Sequence, residues 1–178
     1  EAGLRSFDNY SPFPEEMNRK LTGSITEMHF SPTENNKVNL LNEGINEEKI
    51  YITGNTVIDA LKSVIKEDYK FEDETLNNID FKNKKVVLLT THRRENWGKP
   101  MEDIFLAMTD LLNANEEVEV IFPMHKNPSI RELAKNSFKG YEERVHLIEP
   151  LEYVDFTNLM NKAYLIMTDS GGIQEEAP

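Results

Sequence analysis

The sequence predicts an α/β protein built on parallel sheets. In the second half of the chain, short apolar runs alternate with longer segments of helical periodicity. Parallel strands are joined by crossover connections that are usually helices, so this alternation predicts a parallel sheet covered on both faces. The composition agrees, because 38% of the 178 residues are hydrophobic and 29% are charged, as in soluble globular proteins with a core.

The first half of the chain supplies about two strands. A helix is predicted to open at Pro14, because proline suits the first helical position. The apolar residues of this helix fall on one face: Met17, Leu21, Ile25 and Met28. Its polar residues fall on another: Glu15, Asn18, Arg19 and Thr22. The elements predicted after it are a strand at 28–30, a helix capped by Thr33 and running to about Asn42, a strand at 49–53 and a helix at 56–65.

The second half gives a clearer pattern of four strands, each followed by a helix or a helix start. The predicted strands are 86–90, 118–122, 145–148 and 164–167. The predicted helices open near Pro100, run over 128–138 with Gly140 after the end, and carry Phe156, Leu159 and Met160 on a short segment. The last strand leads into Thr168-Asp169-Ser170-Gly171-Gly172 and a new helix.

Residues 66–85 differ in character, since they are highly charged and weakly periodic. They predict an interdomain linker, with a helical turn at 74–77. The expected organisation is therefore a domain over 1–65, this linker, and a second, nucleotide-binding domain over 86–178. Because no strand precedes Glu1 and a helix is just starting at Pro178, we expect the chain to be an internal fragment that holds only the C-terminal part of the first domain and the N-terminal part of the second.

Composition excludes several classes of protein. The net charge of −12 argues against a general nucleic-acid surface, although a few focused arginines can still bind one phosphate group. Cysteine is absent, which excludes disulfides, thiolate metal sites and cysteine nucleophiles. No apolar stretch approaches the roughly 20 residues that span a bilayer, and no signal peptide is visible. We expect a cytoplasmic protein that contacts neither nucleic acid nor membrane.

Two polar loops follow predicted strands, where open α/β sheets bind ligands. Thr91-His92-Arg93-Arg94-Glu95-Asn96 offers a histidine that can exchange a proton near neutral pH, and arginines that can hold an anion. Asp169-Ser170-Gly171-Gly172 places backbone N–H groups at a helix N-terminus, which suits a pyrophosphate. A carboxylate further along that helix, on Glu175 or Glu176, could accept hydrogen bonds from sugar hydroxyls.

The chain closely resembles the non-hydrolysing UDP-N-acetylglucosamine 2-epimerase family. The resemblance extends over essentially the whole sequence and keeps the order of the family's motifs. The matching stretches are Glu1-Ala2-Gly3-Leu4-Arg5, Ser11 to Arg19, Ile52 to Asp59, Thr91 to Asn96 and Thr168 to Pro178.

The resemblance implies two Rossmann-like domains that face each other across a cleft, the GT-B architecture. It implies interconversion of UDP-N-acetylglucosamine and UDP-N-acetylmannosamine. A proton leaves the second sugar carbon, UDP is eliminated, and UDP then adds back as a proton arrives on the opposite face. It also implies that no metal or other cofactor is used, that the ligands are UDP-N-acetylglucosamine and UDP, and that the full-length protein is a homodimer.

Residue by residue, the resemblance implies a catalytic set and a substrate-binding set. Glu1 and Glu15 match the family's catalytic glutamates, and His92 matches its histidine near the diphosphate. The implied substrate-binding residues are Arg19 for the substrate, Ser170, Gly171 and Gly172 for the phosphates, Glu176 for the ribose and Phe156 beside the uracil.

Each of these residues also has an ordinary structural interpretation. Glu15 and Glu16 could simply favour a helix N-terminus, Phe156 could be a core residue, and Arg93 and Arg94 could neutralise nearby carboxylates. The other histidines are His29 and His146, which we interpret as structural, and His125, which could equally be structural or face the cleft.

Three other functions remain open. A UDP-sugar-dependent GT-B glycosyltransferase would share the cleft, although glycosyl transfer does not need both glutamates. A hydrolysing epimerase would release UDP and free N-acetylmannosamine. Family members also carry an upstream Gly-Thr-Arg-Pro-Glu loop and an upstream aspartate, which this sequence lacks, so the third possibility is an inactive nucleotide-sugar-binding fragment. We expect the 178-residue chain alone to be inactive.

Overall fold

The computed structural model of the chain describes residues 1–91, 93 and 96–178. It contains two compact units, Glu1–Ala60 and Leu61–Pro178. Both are α/β units whose paired strands are parallel. The predicted α/β class with parallel sheets is therefore confirmed.

The first unit contains a small parallel sheet. Strand β1 (His29–Ser31) pairs with strand β2 (Ile50–Ile52), and His29 lies opposite Ile50. The helices are α1 (Glu15–Ile25) and α2 (Glu34–Asn42), with a 3-10 turn at Glu47–Lys49, and α3 (Thr56–Val64) begins in this unit and ends in the second. Both strands lie within one residue of the predicted positions, and the Thr33 side chain caps α2 as predicted, by accepting a hydrogen bond from the Asn36 amide.

Helix α1 does not bury its apolar face. It begins at Glu15, directly after Pro14, and Leu21 and Ile25 are 62% and 87% exposed. The one buried residue of this helix is the carboxylate Glu16. The prediction of an amphipathic helix was correct, but the sheet of this unit is too small to cover the apolar stripe.

The second unit contains a parallel sheet with strand order β5-β4-β3-β6 among the described residues. Numbered within this unit, that is the order 3-2-1-4 of doubly wound folds, which reverses direction between β3 and β6. The strands are β3 (Lys85–Thr90), β4 (Val118–Pro123), β5 (Val145–Ile148) and β6 (Leu165–Thr168). The helices are α4 (Glu74–Asn77), α5 (Lys99–Ala114), α6 (Pro128–Ser137), α7 (Tyr153–Lys162) and α8 (Gly171–Glu176).

The sheet of the second unit is buried on both faces. Side chains alternate along β3, so Val87 and Leu89 join one core while Val86 and Leu88 join the other. The first core is closed by Phe105 of α5 and its neighbours on α6, and the second by residues of α7. This explains why each strand reads as a continuous apolar run in the sequence.

The segment 66–85 differs from the linker that we predicted. The boundary between the compact units lies at residues 60 and 61, and Phe71 and Leu76 are buried in the second core. Asn158 of α7 fixes the start of this segment, because its side chain accepts from the Lys66 amide at 2.9 Å and donates to the Val64 carbonyl at 3.1 Å. These contacts were not predicted because the segment is highly charged and its apolar residues follow no regular period.

Candidate functional site

The loop that precedes α1 is fastened to α2. The Arg5 guanidinium donates two hydrogen bonds to the Glu43 carboxylate, at 2.6 and 2.8 Å, and these bonds hold the pKa of Glu43 below its usual value. Gly3 has a φ of +79°, and a Cβ atom there would lie 2.0 Å from the Asn36 carbonyl oxygen. The Asn39 side-chain amide donates to the Gly3 carbonyl at 3.0 Å. The backbone that carries Glu1 is therefore positioned by close contacts.

A cavity of about 360 Å³ in the first unit brings together three predicted site residues. Glu1 comes from the loop, and Glu15 and Arg19 come from the first turns of α1. The other lining residues are Ala2, Arg5, Asn18, Thr22, Gly23, Thr26, His29 and Leu40. The roles assigned to these three residues stay predictions, although all three line one cavity.

Arg19 lies between two carboxylates, one of which lines the cavity. Its Nε donates to Glu1 at 2.8 Å, and its Nη1 lies 3.5 Å from Glu16 Oε2. Glu1 and Glu15 are exposed, whereas Glu16 is fully buried. A guanidinium between an exposed and a buried carboxylate can stabilise negative charge that develops beside it. No sequence pattern separated Glu16 from Glu15, since both are acidic residues at the start of a helix.

His29 forms part of the same cavity wall. It is 2% exposed, and its Nε2 atom has no hydrogen-bond partner among the residues that the structure describes. We interpreted His29 as structural from its place in a strand, and its burial agrees with that interpretation.

A second cavity of the first unit lies at the carboxyl ends of β1 and β2. Its volume is about 500 Å³, and Glu1 lines it together with Thr53 and Asn55. Glu1 therefore borders two cavities of this unit, whereas Glu15 lines the first of them.

In the second unit, two loops meet where the strand order reverses. Asp169, just after β6, accepts three hydrogen bonds on one carboxylate oxygen, from the Thr91 hydroxyl at 2.9 Å, the Arg93 amide at 3.0 Å and the Asn96 side chain at 2.9 Å. The loops after β3 and β6 are thereby tied together at the point where doubly wound sheets bind ligands. His92, a predicted catalytic residue, lies outside the described residues.

Ser170-Gly171-Gly172 forms the start of α8, and no side chain of this loop caps the helix N-terminus. The Ser170 hydroxyl forms no cap hydrogen bond. A Cβ atom on Gly171 would lie 3.5 Å from an Arg93 side-chain nitrogen, and one on Gly172 would lie 4.0 Å from the Ser170 hydroxyl. These are ordinary contact distances, so the chain's own packing does not require glycine at either position.

Glu176 and Phe156 are both half-buried. Burial raises the pKa of the Glu176 carboxyl above its usual value, and the neighbouring charge of Glu175 adds to the rise. Phe156, on α7, packs partly against the second core. The structural and the ligand-binding interpretations of Phe156 are thus compatible, since part of the ring packs on the core and part stays accessible.

Two further histidines can now be placed. His125 lines a cavity of about 360 Å³ at the carboxyl ends of β3 and β4, with Thr90 and Thr91, and its ring centre is 6.3 Å from that of Trp97. His146 forms a 2.8 Å pair with Glu119 on the neighbouring strand. His146 therefore has the structural role that we predicted, whereas His125 lines a cavity at the carboxyl edge of the sheet.

Across residues 1–91, 93 and 96–178, no group of three or more His, Asp or Glu side chains is arranged to hold a metal ion. Over the same residues, no helix is long and apolar enough to cross a membrane.

Comparison with known proteins identifies the family. The family model described as UDP-N-acetylglucosamine 2-epimerase matches residues 1–178. The chain belongs to the UDP-N-acetylglucosamine 2-epimerase family. The UDP-N-acetylglucosamine 2-epimerases of Bacillus subtilis and Escherichia coli K12 are 49% and 48% identical to the whole chain, which covers 46% and 48% of their lengths. The chain thus spans about half the length of the curated relatives that it matches.

Solved structures of epimerases share the fold. The S. aureus MnaA–UDP co-structure is 50% identical, with a TM-score of 0.90 over all of this chain and 47% of its own. The UDP-GlcNAc 2-epimerase of Neisseria meningitidis bound to UDP-GlcNAc is 44% identical, with a TM-score of 0.86 over all of this chain and 49% of its own. The predicted membership of the epimerase family and the predicted GT-B-type fold class are confirmed.

Proposed function

We propose that the complete protein containing this chain interconverts UDP-N-acetylglucosamine and UDP-N-acetylmannosamine. Membership of the family supports this function, and so does one observation on the chain itself. Glu1, Glu15 and Arg19 line a single cavity in the first unit. Carboxylates can remove and return a proton at a sugar carbon, and a neighbouring cation can stabilise the charge that forms as UDP leaves.

The second unit supplies the residues that we assign to UDP. Gly171 and Gly172 leave open backbone at the start of α8 that a diphosphate could approach. Glu176 would hold the ribose hydroxyls, and Phe156 would lie beside the uracil. His92 is assigned to the diphosphate by its position in the family motif alone.

The reaction is tested by incubating the complete protein with UDP-N-acetylglucosamine in D₂O and following the products by proton NMR. The expected result is the manno epimer, with deuterium at the second sugar carbon of the product, because the C–H bond there breaks and solvent supplies the new proton. Free N-acetylmannosamine with UDP would identify a hydrolysing enzyme instead. Transfer of the sugar to an added acceptor, without deuterium at that carbon, would identify a glycosyltransferase.

We also propose that the complete protein is a cytoplasmic homodimer that needs no cofactor and does not bind nucleic acid. The net charge of −12 on these 178 residues supports the last point, because it repels polyphosphates from this part of the protein. Light scattering on the complete protein measures the oligomeric state, and dialysis against a chelator before the NMR assay tests the need for a metal.

A further inference from the structure

Glu16 is a buried charge that the proposed mechanism does not use. It is 0% exposed, and a carboxylate without compensation in that environment would cost several kcal/mol. Its compensation comes from two directions. Glu16 Oε1 accepts the Phe7 amide at 3.2 Å, and Oε2 faces the Arg19 guanidinium at 3.5 Å.

The Arg5 guanidinium also interacts electrostatically with the Glu16 carboxylate. The charge of Glu16 contributes to the raised pKa of Arg5, after the larger contribution of the Arg5–Glu43 hydrogen bond. Arg5 lies on the same loop as Glu1, and Arg19 lies on the same helix as Glu15. Glu16 is therefore a negative charge that interacts with cations on both elements that carry the proposed catalytic glutamates.

The backbone contact of Glu16 falls at a strained point of the loop. Phe7 has a φ of +64°, in the left-handed region that residues with a side chain rarely adopt, and its side chain is 73% exposed. Burial of the ring therefore does not hold this conformation. Two sets of described contacts oppose the strain: the hydrogen bond from the Phe7 amide to Glu16, and those between the Ser6 hydroxyl and the Asp8 backbone on either side of Phe7.

We infer that Glu16 is a positioning residue, which fixes the loop carrying Glu1 against helix α1 and aligns Arg19 between the two carboxylates. This inference rests on the proposed function, because Glu16 would matter for the reaction by keeping Glu1 and Glu15 at a fixed distance and orientation. Misplacement of catalytic groups by about 1 Å can lower a rate by about 10²-fold.

The test compares variants of the complete protein. Glu16→Gln keeps the size and the acceptor for the Phe7 amide but removes the charge, so kcat should fall by about 10- to 100-fold with little change in KM. Glu16→Asp keeps the charge but shortens the side chain by one methylene, which lengthens both contacts of the carboxylate, so its kcat should fall as well. Unchanged kcat in either variant would overturn the inference.

A double-variant cycle tests whether Glu16 acts through Arg19. The losses in kcat caused by Arg19→Lys and Glu16→Gln should not multiply, so the double variant should be about as slow as the slower single variant. Independent, multiplying losses would overturn the inference. Glu119→Gln is the matched control, because Glu119 is another largely buried carboxylate with a partner, His146, and its loss should lower stability without lowering kcat.

A measurement without substrate separates this inference from the proposed function. In ¹⁵N NMR spectra, Arg19 Nε–H should give a sharp, slowly exchanging signal in the wild type that is lost in Glu16→Gln. If the wild type does not epimerise, the proposed function fails, and the Arg19 signal still decides whether Glu16 positions Arg19. If the wild type epimerises and Glu16→Gln has unchanged kcat and an unchanged Arg19 signal, the positioning role is refuted.

Discussion

Replacing Gly172 by alanine should make the protein more stable and its UDP binding weaker. Gly172 is the second residue of α8, its φ is outside the left-handed region, and it is exposed. A Cβ atom there would meet only the Ser170 hydroxyl, at 4.0 Å. Nothing in the described fold therefore opposes the substitution.

The gain in stability follows from the helical backbone at this position. Alanine loses less conformational freedom than glycine on folding, which amounts to about 0.4–1 kcal/mol where the native backbone accepts a side chain. The expected loss in affinity has a different origin, because a methyl group at 172 would keep a diphosphate from the backbone N–H groups. A tenfold rise in Kd corresponds to about 1.4 kcal/mol, and we expect at least that.

The assay pairs a urea denaturation curve with isothermal titration of UDP into the complete protein. Gly140→Ala is the control, since Gly140 has a φ of +91° with open space around it, at a turn after α6. That variant should be strained and less stable but should bind UDP normally. If Gly172→Ala is more stable and binds UDP as tightly as the wild type, the assignment of this loop to the diphosphate is refuted.

Three further substitutions test other parts of the site and fold. Glu15→Gln should lower kcat by about 10²- to 10⁴-fold with KM within a few-fold, in steady-state assays, and near-normal kcat would remove Glu15 from proton transfer. Glu176→Gln should bind UDP more weakly yet be the more stable protein at neutral pH. Because the pKa of Glu176 is raised in the folded state, the wild type loses stability as the pH rises through that pKa. The free energies of unfolding of the wild type and Glu176→Gln, measured from pH 4 to pH 7, should therefore become similar at the acid end. The pKa of Tyr69 is raised to about 12 by its hydrogen bond to Asp155, so the stability that this bond contributes should be present below pH 10 and be lost as the pH rises toward 12. Tyr69→Phe should lower stability by about 1 kcal/mol at neutral pH and abolish that alkaline loss, and an unchanged loss would assign it to other groups.

The sheet of the second unit could be predicted from the sequence because its strands are buried on both faces. Continuous apolar runs such as Val86–Leu89 have few alternative structures when helical segments separate them. The parallel pairing then places the carboxyl ends of β3 and β6 at one edge, which brings the polar loops after them together. The hydrogen bond between Thr91 and Asp169 joins these two loops.

The features that could not be predicted depend on tertiary contacts of charged and polar residues. Glu16 and Glu15 are chemically identical neighbours, and only the docking of the N-terminal loop buries one of them. The segment 66–85 has no regular apolar period, so its attachment through Phe71, Leu76 and Asn158 was not visible. The candidate site residues were assigned through family motifs rather than through periodicity, and their roles stay predictions.

The three hydrogen bonds on Asp169 have a consequence for recombination between related proteins. Thr91, Arg93 and Asn96 precede Asp169 by more than seventy positions, yet all three donate to one oxygen atom. A chimera that takes the segment around Asp169 from one relative and the segment around Thr91 from another would pair an acceptor with donors from a different protein. Grafts between relatives should therefore move the two segments as a pair, and natural exchange of this part of the gene should carry both.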